Sequence, residues 1–246
     1  MKIPATLTPV TLSLALAVMN NASAASVAIS HVSGDVALNT ISVNVTTEGT
    51  LDWWVFASDG GLTGNALTPS NSKLNATAIT GITTSGITNE ISAYTESTTD
   101  YSWFGDGTSP ATGDLTGDFD RIRMGTNDIL TLGVSVAAAG SYQLRFYNSV
   151  ADNGISAVAT LANGGSPVTS NTESIARVLS PVQYQHWTID FTTDGPDTLT
   201  TTFTSTGSSA SEVFALEAIT LGVPEPSSLA LLGLGSLGLV LRRRRA

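Results

Sequence analysis

Seven aromatic residues crowd into one stretch of the chain: Trp53, Trp54, Phe56, Tyr94, Tyr101, Trp103 and Phe104. Rings held in the open can stack on the apolar C–H faces of pyranoses while polar neighbours bind the sugar hydroxyls. Trp53, Trp54, Tyr101 and Trp103 are therefore candidate glycan-binding residues. The competing reading is that they fill a core, where each ring buries about 150–250 Å². Adjacent strand residues point to opposite faces, so one of Trp53 and Trp54 is expected inside and the other is free to face solvent. Trp187, in a cleanly alternating run, reads as core.

A second cluster follows, in which Asp106, Asp114, Asp118 and Asp120 are interspersed with glycines. Flexible oxygen-rich loops suit Ca²⁺, which takes about six to eight oxygen ligands. Asp114, Asp118 and Asp120 are the candidate ligands for a structural Ca²⁺, and no other cofactor is expected. Their spacing is not that of an EF-hand, and Arg121 and Arg123 are placed to neutralise the acids. A solvated loop is the simpler reading.

Hydrolytic chemistry finds little support. His31 and His186 are the only histidines, with no His-x-x-x-His pair and no Gly-x-Ser-x-Gly elbow. The chain has no cysteine, which excludes a thiol nucleophile, a thiolate metal site and a disulfide frame. A glycosidase-type carboxylate pair can assemble only in three dimensions, and the spacing of Glu90, Glu96, Glu173, Glu212 and Glu217 favours none. No catalytic residue is expected, and a secreted hydrolase stands as an outside alternative.

The elements that must hold these residues are strands. Charged residues make up only 12% of the 246-residue chain, about half the usual share, and acids outnumber bases 20 to 10. A body this acidic does not bind nucleic acid through its phosphates. A hydrophobic content of 41% separates it from charged disorder. No segment keeps a helical period for three turns, whereas two-residue alternation recurs in Ser141–Tyr147, Tyr184–Phe191 and Thr198–Thr204. Further strands are expected over Val36–Thr46, Leu51–Phe56, Ala78–Ile82, Ile129–Val136, Ile155–Leu161 and Glu212–Leu221. Turn residues such as Asn163-Gly164-Gly165 and Asp194-Gly195-Pro196-Asp197 separate them. The fold class predicted for residues 25–222 is all-β: a single antiparallel β-sandwich of jelly-roll type.

The two ends read as sorting signals. Lys2, the mostly apolar stretch Val10–Met19 and the small residues Ala22-Ser23-Ala24 have the form of a secretory signal peptide over 1–24, with cleavage by signal peptidase before Ala25. At the other end Val223-Pro224-Glu225-Pro226 precedes an apolar run from Leu229 to Leu241, followed by Arg242-Arg243-Arg244-Arg245. A helix over Ser227–Leu241 is about 22 Å long, short for a hydrocarbon core of about 30 Å. Snorkelling arginines close the gap and stay on the cytoplasmic side by the positive-inside rule.

Residues 223–246 resemble the PEP-CTERM sorting signal of Gram-negative bacteria: motif, glycine-interrupted helix and basic tail occur in that order. The resemblance implies an exosortase partner that cleaves near Pro224-Glu225-Pro226, and transient inner-membrane anchoring before release to the cell surface or the extracellular matrix. It often accompanies exopolysaccharide production. The body, through the order of Asp52-Trp53-Trp54, Ile79-Thr80-Gly81-Ile82, Tyr101-Ser102-Trp103 and the later strands, is similar in pattern to galactose-binding-like jelly-roll domains of exported bacterial proteins. The expected role is structural or interactive rather than catalytic. The alternative is a module recognising neutral exopolysaccharide through exposed aromatics. Contact with the membrane is expected only through the C-terminal helix of the precursor.

Removal of both signals changes the charge. Glu225 is the one acid outside residues 25–222, so that span keeps 19 acids and 5 bases, a net charge of −14 against −10 for the whole chain.

Overall fold

The computed structural model describes residues 24–33, 42–56, 62–63, 66–87, 92–94, 100–108, 110–116, 119–151, 153–176, 183–207 and 213–224. Ala22, Glu225, Pro226, Arg242, Arg243, Arg244, Arg245 and Asp118, together with the expected terminal helix, lie outside the described residues.

Two large sheets form the sandwich. The first runs Ser26–Ser33, Gln183–Thr193, Gly140–Ala151, Val213–Gly222, Phe119–Arg123, Ser92–Tyr94, and Asp52–Val55 pairs with the C-terminal half of Val213–Gly222. The second runs Val168–Thr169, Ile155–Leu161, Asp197–Ser205, Ile129–Val136, Ile79–Ser85, Ala66–Leu67, Leu62–Thr63. All pairings within both sheets are antiparallel.

Alternation drives this arrangement. In Ile155–Leu161 and Asp197–Ser205 every second side chain is buried, and the outward positions are mostly threonine and serine. Their β-branched and small side chains suit a half-buried pleated surface. Leu144, Phe146, Trp187, Ile189, Leu132, Ala159 and Phe203 meet between the sheets. Phe146 and Phe203 stack with centroids 4.5 Å apart. The expected runs over Ile129–Val136 and Ile155–Leu161 match their strands end to end.

The sandwich carries a third layer that periodicity did not indicate. Gly113–Thr116, Asp100–Trp103 and Ser42–Asn44 form a three-stranded sheet in which the last pair is parallel. Of the strand expected over Val36–Thr46, residues 36–41 lie outside the described residues; Ser42–Asn44 are strand, after which the chain turns into a short helix, Val45–Glu48. Val, Thr and Thr are weak helix formers. The helix stands because Asn44 caps it, its Oδ1 accepting from the Thr47 amide at 3.1 Å, and because Val45 is fully buried.

Candidate functional site

The third layer covers the outer face of the first sheet, and that decides the fate of the aromatic candidates. Val43, Val45, Tyr101 and Trp103 pack against Trp53, Val55, Tyr147, Tyr184 and Ala218 as a second, smaller core. Trp53 and Tyr101 have no exposed surface, and Trp103 keeps 6%. These three are corrected from candidate stacking platforms to core. Trp53 and Trp54 do point to opposite faces, but the sheet is covered on both. Trp54 is half-buried and meets Phe56 edge-on at 6.2 Å on the main-core side. Trp187 is core, as expected.

Trp103 is boxed in. Its indole N–H donates to the Pro110 carbonyl at 2.9 Å, and its ring lies 5.8 Å from that of Trp53. A Cβ added at Gly107 or Gly113 would stand 2.7 Å from the indole, so these two glycines let the loop close over the ring.

At the junction of the layers sits a buried acid. Glu217 is fully buried and accepts hydrogen bonds from the Tyr101 hydroxyl at 2.7 Å and from the Ser149 hydroxyl. It occupies a β-bulge: Tyr147 pairs with Ala218 and Asn148 with Leu216, leaving Glu217 as the extra residue. The bulge lets Leu216 and Ile219 both face the main core while the carboxylate turns to the outer layer. Burial, and next the Glu217 charge, push the Tyr101 phenol well above its ordinary range, so it remains a donor. Tyr184, raised by burial first and by Tyr147 next, adjoins the same group. Sequence reasoning listed Glu217 among five glutamates without favouring it. The signal was there: a lone acid inside Phe214-Ala215-Leu216-Glu217-Ala218-Ile219, a nearly continuous apolar run of the kind that marks a strand buried on both faces.

A second polar group lies nearer the surface. Glu48 on the short helix pairs with Arg145 at 2.8 Å and accepts from the Tyr147 hydroxyl. Burial works against the charged guanidinium, but Glu48 outweighs it and the net shift of Arg145 is upward. Thr47, Glu48, Thr50, Gln143, Arg145 and Thr220 line a cleft of about 180 Å³ whose remaining wall is Gly222, Val223 and Pro224. The Val223 amide donates to Thr50 Oγ1 at 3.3 Å. A Cβ at Gly222 would stand 2.5 Å from the Glu48 carbonyl oxygen, so glycine is what lets the short helix sit on the closing strand.

His186 stacks on Tyr147 at 4.8 Å, and its pKa is lowered from 6.5, by burial first and by Arg145 next, with Glu48 opposing. A base whose folded pKa is depressed stays neutral in the fold while the unfolded chain takes up a proton, so it removes stability as pH falls below its unfolded value. The wild-type urea midpoint is expected to drop between about pH 7 and pH 5, and His186→Phe should flatten that slope. Equal slopes would contradict the assignment. His31 bonds Glu173 through Nδ1 at 2.7 Å and lies 5.2 Å from the Trp187 ring. The two histidines therefore serve different neighbourhoods.

Among the described residues no group of three His, Cys, Asp or Glu side chains is placed to hold a metal. The backbones of Asp114 and Asp120 fall in different sheets, Asp114 opposite Ser102 and Asp120 between Leu216 and Ala93. Asp106 is a structural anchor: its carboxylate accepts from Thr46 Oγ1 at 2.7 Å and Trp53 Nε1 at 3.3 Å and lies 3.5 Å from Lys73 Nζ. The same ammonium donates to the Gly49 and Thr50 carbonyls at 3.0 and 2.8 Å.

One ring of the aromatic cluster does face solvent. Phe104 is 75% exposed at the mouth of a cleft of about 400 Å³ lined also by Asn44, Ser102, Trp103, Thr112 and Gly113. A bare apolar face beside an amide and two hydroxyls, with no charged lining residue, has the chemistry of a neutral-sugar subsite.

The sequence beyond the last strand is identified by comparison. Residues 222–245 match the PEP-CTERM protein-sorting motif, one residue earlier at each end than the span read from the sequence. No curated protein matches the chain. Among solved structures, the carbohydrate-binding module TmCBM61 in complex with β-1,4-galactotriose is similar at 12% identity over 44% of this chain and 72% of that one, with a TM-score of 0.30. A structure of carbohydrate-binding modules of the β-sandwich superfamily is similar at 10% identity over 79% of this chain and 98% of that one, TM-score 0.31. The enzymatically active domain of tailspike protein 4 of bacteriophage CBA120 is similar at 10% identity over 75% of this chain and 22% of that one, TM-score 0.32. Likenesses this distant carry no argument about ligand or chemistry.

Proposed function

We propose that this chain is an exported surface or matrix protein, sorted and cleaved by an exosortase, whose sandwich has a structural or interactive rather than a catalytic role. One observation carries the reading: the PEP-CTERM motif at 222–245 follows without a linker from the closing strand Val213–Gly222. That strand is held between Gly140–Ala151 on one side and Phe119–Arg123 and Asp52–Val55 on the other. The strand delivers Val223 and Pro224 to its exposed end, and the sequence runs on directly into Glu225-Pro226. The other boundary agrees. Ala24 is exposed, Ala25 packs on the core and the first strand opens at Ser26, which supports a signal-peptidase cut between Ala24 and Ala25.

The test is the intact mass of the exported form from a host that carries an exosortase. The expected C-terminus lies at or near Pro226, without Arg242–Arg245, and Glu225→Ala should leave a membrane-bound precursor of full mass. An exported form that keeps the arginine tail would sink the proposal.

A second reading rests on Phe104. In it the sandwich binds a neutral extracellular polysaccharide at the cleft between Asn44, Phe104 and Thr112, in place of the buried Trp53, Tyr101 and Trp103. The strongly acidic body disfavours anionic polymers, so a neutral glycan is the ligand this reading names. A glycan array with the exported form separates the two readings, since a purely structural role gives no hit.

A further inference from the structure

Both ends of the domain leave the sandwich at the same place. In the first sheet Ser26 pairs with Thr192, Thr192 with Ser141, and Gln143 with Gly222. The start of the first strand and the end of the last thus fall in rows only two residues apart, those of Ser141 and Gln143. Three strand spacings, about 14 Å, separate them across the sheet, and the two-residue offset adds about 7 Å along it. In the second sheet Val136 pairs with Asp197, so the turn Ala137–Ala139, which joins Ile129–Val136 to Gly140–Ala151, lies at this end too. Leu51, whose amide donates to the Leu221 carbonyl at 3.0 Å, completes it.

Apolar groups are exposed there. Leu51 is 38% and Val223 52% exposed, and Ala137, Ala138, Ala139 and Pro224 are exposed as well. A shallow, largely apolar depression of about 400 Å³ runs between Leu51, Ala78, Val136, Ala138 and Tyr142. The acids at this end include Glu48, which lines the cleft with Val223 and Pro224 and pairs with Arg145, Asp190, which stands in the row of Gly222 and accepts from the Gln143 amide group, Asp194, and Asp197, both of whose oxygens accept from the Asn163 amide.

Chain length says what lies against this end. Pro224 lines the cleft beside Glu48, and in the sequence four residues, Glu225-Pro226-Ser227-Ser228, separate it from the apolar run. Four fully extended residues reach at most about 14 Å, and the headgroup layer of one leaflet occupies about 5–8 Å of that.

We infer that this end of the sandwich is a membrane-apposed face: in the precursor, Leu51, the Ala137–Ala139 turn and Val223 rest on the outer surface of the bilayer that the Leu229–Leu241 run enters. The inference rests on the reading that this run inserts. In the sequence the Pro224-Glu225-Pro226 motif lies between this face and the inserting run. Cleavage there frees the face.

The absence of cysteine makes the test clean. Full-length precursor carrying Ala138→Cys, labelled with an environment-sensitive fluorophore, is reconstituted into phosphatidylethanolamine–phosphatidylglycerol vesicles with a headgroup-level quencher. Thr206→Cys, exposed at the opposite end of the Asp197–Ser205 strand, is the comparison. Vesicle flotation reports insertion separately. The expected result is flotation of both proteins with several-fold stronger quenching at position 138, lost when a flexible linker of about 20 residues is inserted between Gly222 and Val223. Flotation with equal quenching at both positions overturns the inference and leaves insertion standing. Failure to float overturns both.

Discussion

Replacing Glu217 with alanine is expected to lower stability by about 3–5 kcal/mol, through the loss of a buried acceptor and the void left behind. In a domain of this size that is roughly 6–20 °C in Tm. The carboxylate is the shared acceptor of Tyr101, which belongs to the third layer, and Ser149, which belongs to the central strand of the first sheet. Alanine leaves both hydroxyls without this acceptor in a region closed to water and opens a void where the two layers meet. Glu217→Gln preserves the volume and one acceptor oxygen, and should cost on the order of 1–2 kcal/mol. Tyr101→Phe removes a donor to a buried charge and should fall between the two. Urea denaturation of the three variants measures the order. A Glu217→Ala protein within about 1 kcal/mol of wild type would mean that the bulge and its acid do not join the layers.

The two-layer part of this fold was legible because its strands are long enough to show a period. Seven residues of Ile155–Leu161 and nine of Asp197–Ser205 repeat the in–out pattern several times. Ser42–Asn44, Asp100–Trp103 and Gly113–Thr116 have three or four residues each, too few for any period to emerge. The parallel pairing of Val43 with Tyr101 joins residues far apart in the chain with no turn to announce it. Hence the error over Trp53, Tyr101 and Trp103: aromatic residues in short segments look like loop-borne platforms until the layer that buries them is known. The sorting signal was legible for the opposite reason. Its three parts are defined by composition and order alone, and no tertiary contact is needed to see them.

Neighbouring rings give the most informative contrast. Trp103→Ala is expected to cost about 3–5 kcal/mol, the range for large aromatic truncations in cores, because the indole is the floor on which Gly107, Pro110 and Gly113 close and the partner of the Trp53 ring. Its loss should loosen the third layer and expose Tyr101, which near-ultraviolet circular dichroism would register along with the fall in Tm. Phe104→Ala, one residue on and 75% exposed, should change stability by less than about 0.5 kcal/mol. If the cleft binds a neutral glycan, the same substitution removes the stacking face and should abolish detectable binding while the spectrum stays native. The pair therefore divides scaffold from surface within two adjacent residues. A Trp103→Ala protein as stable as wild type would contradict the buried-layer account. A glycan hit that survives Phe104→Ala would move the binding site elsewhere on the sandwich. An indole on one side of the backbone and a phenyl on the other thus separate what holds the third layer in place from what that layer offers to a partner.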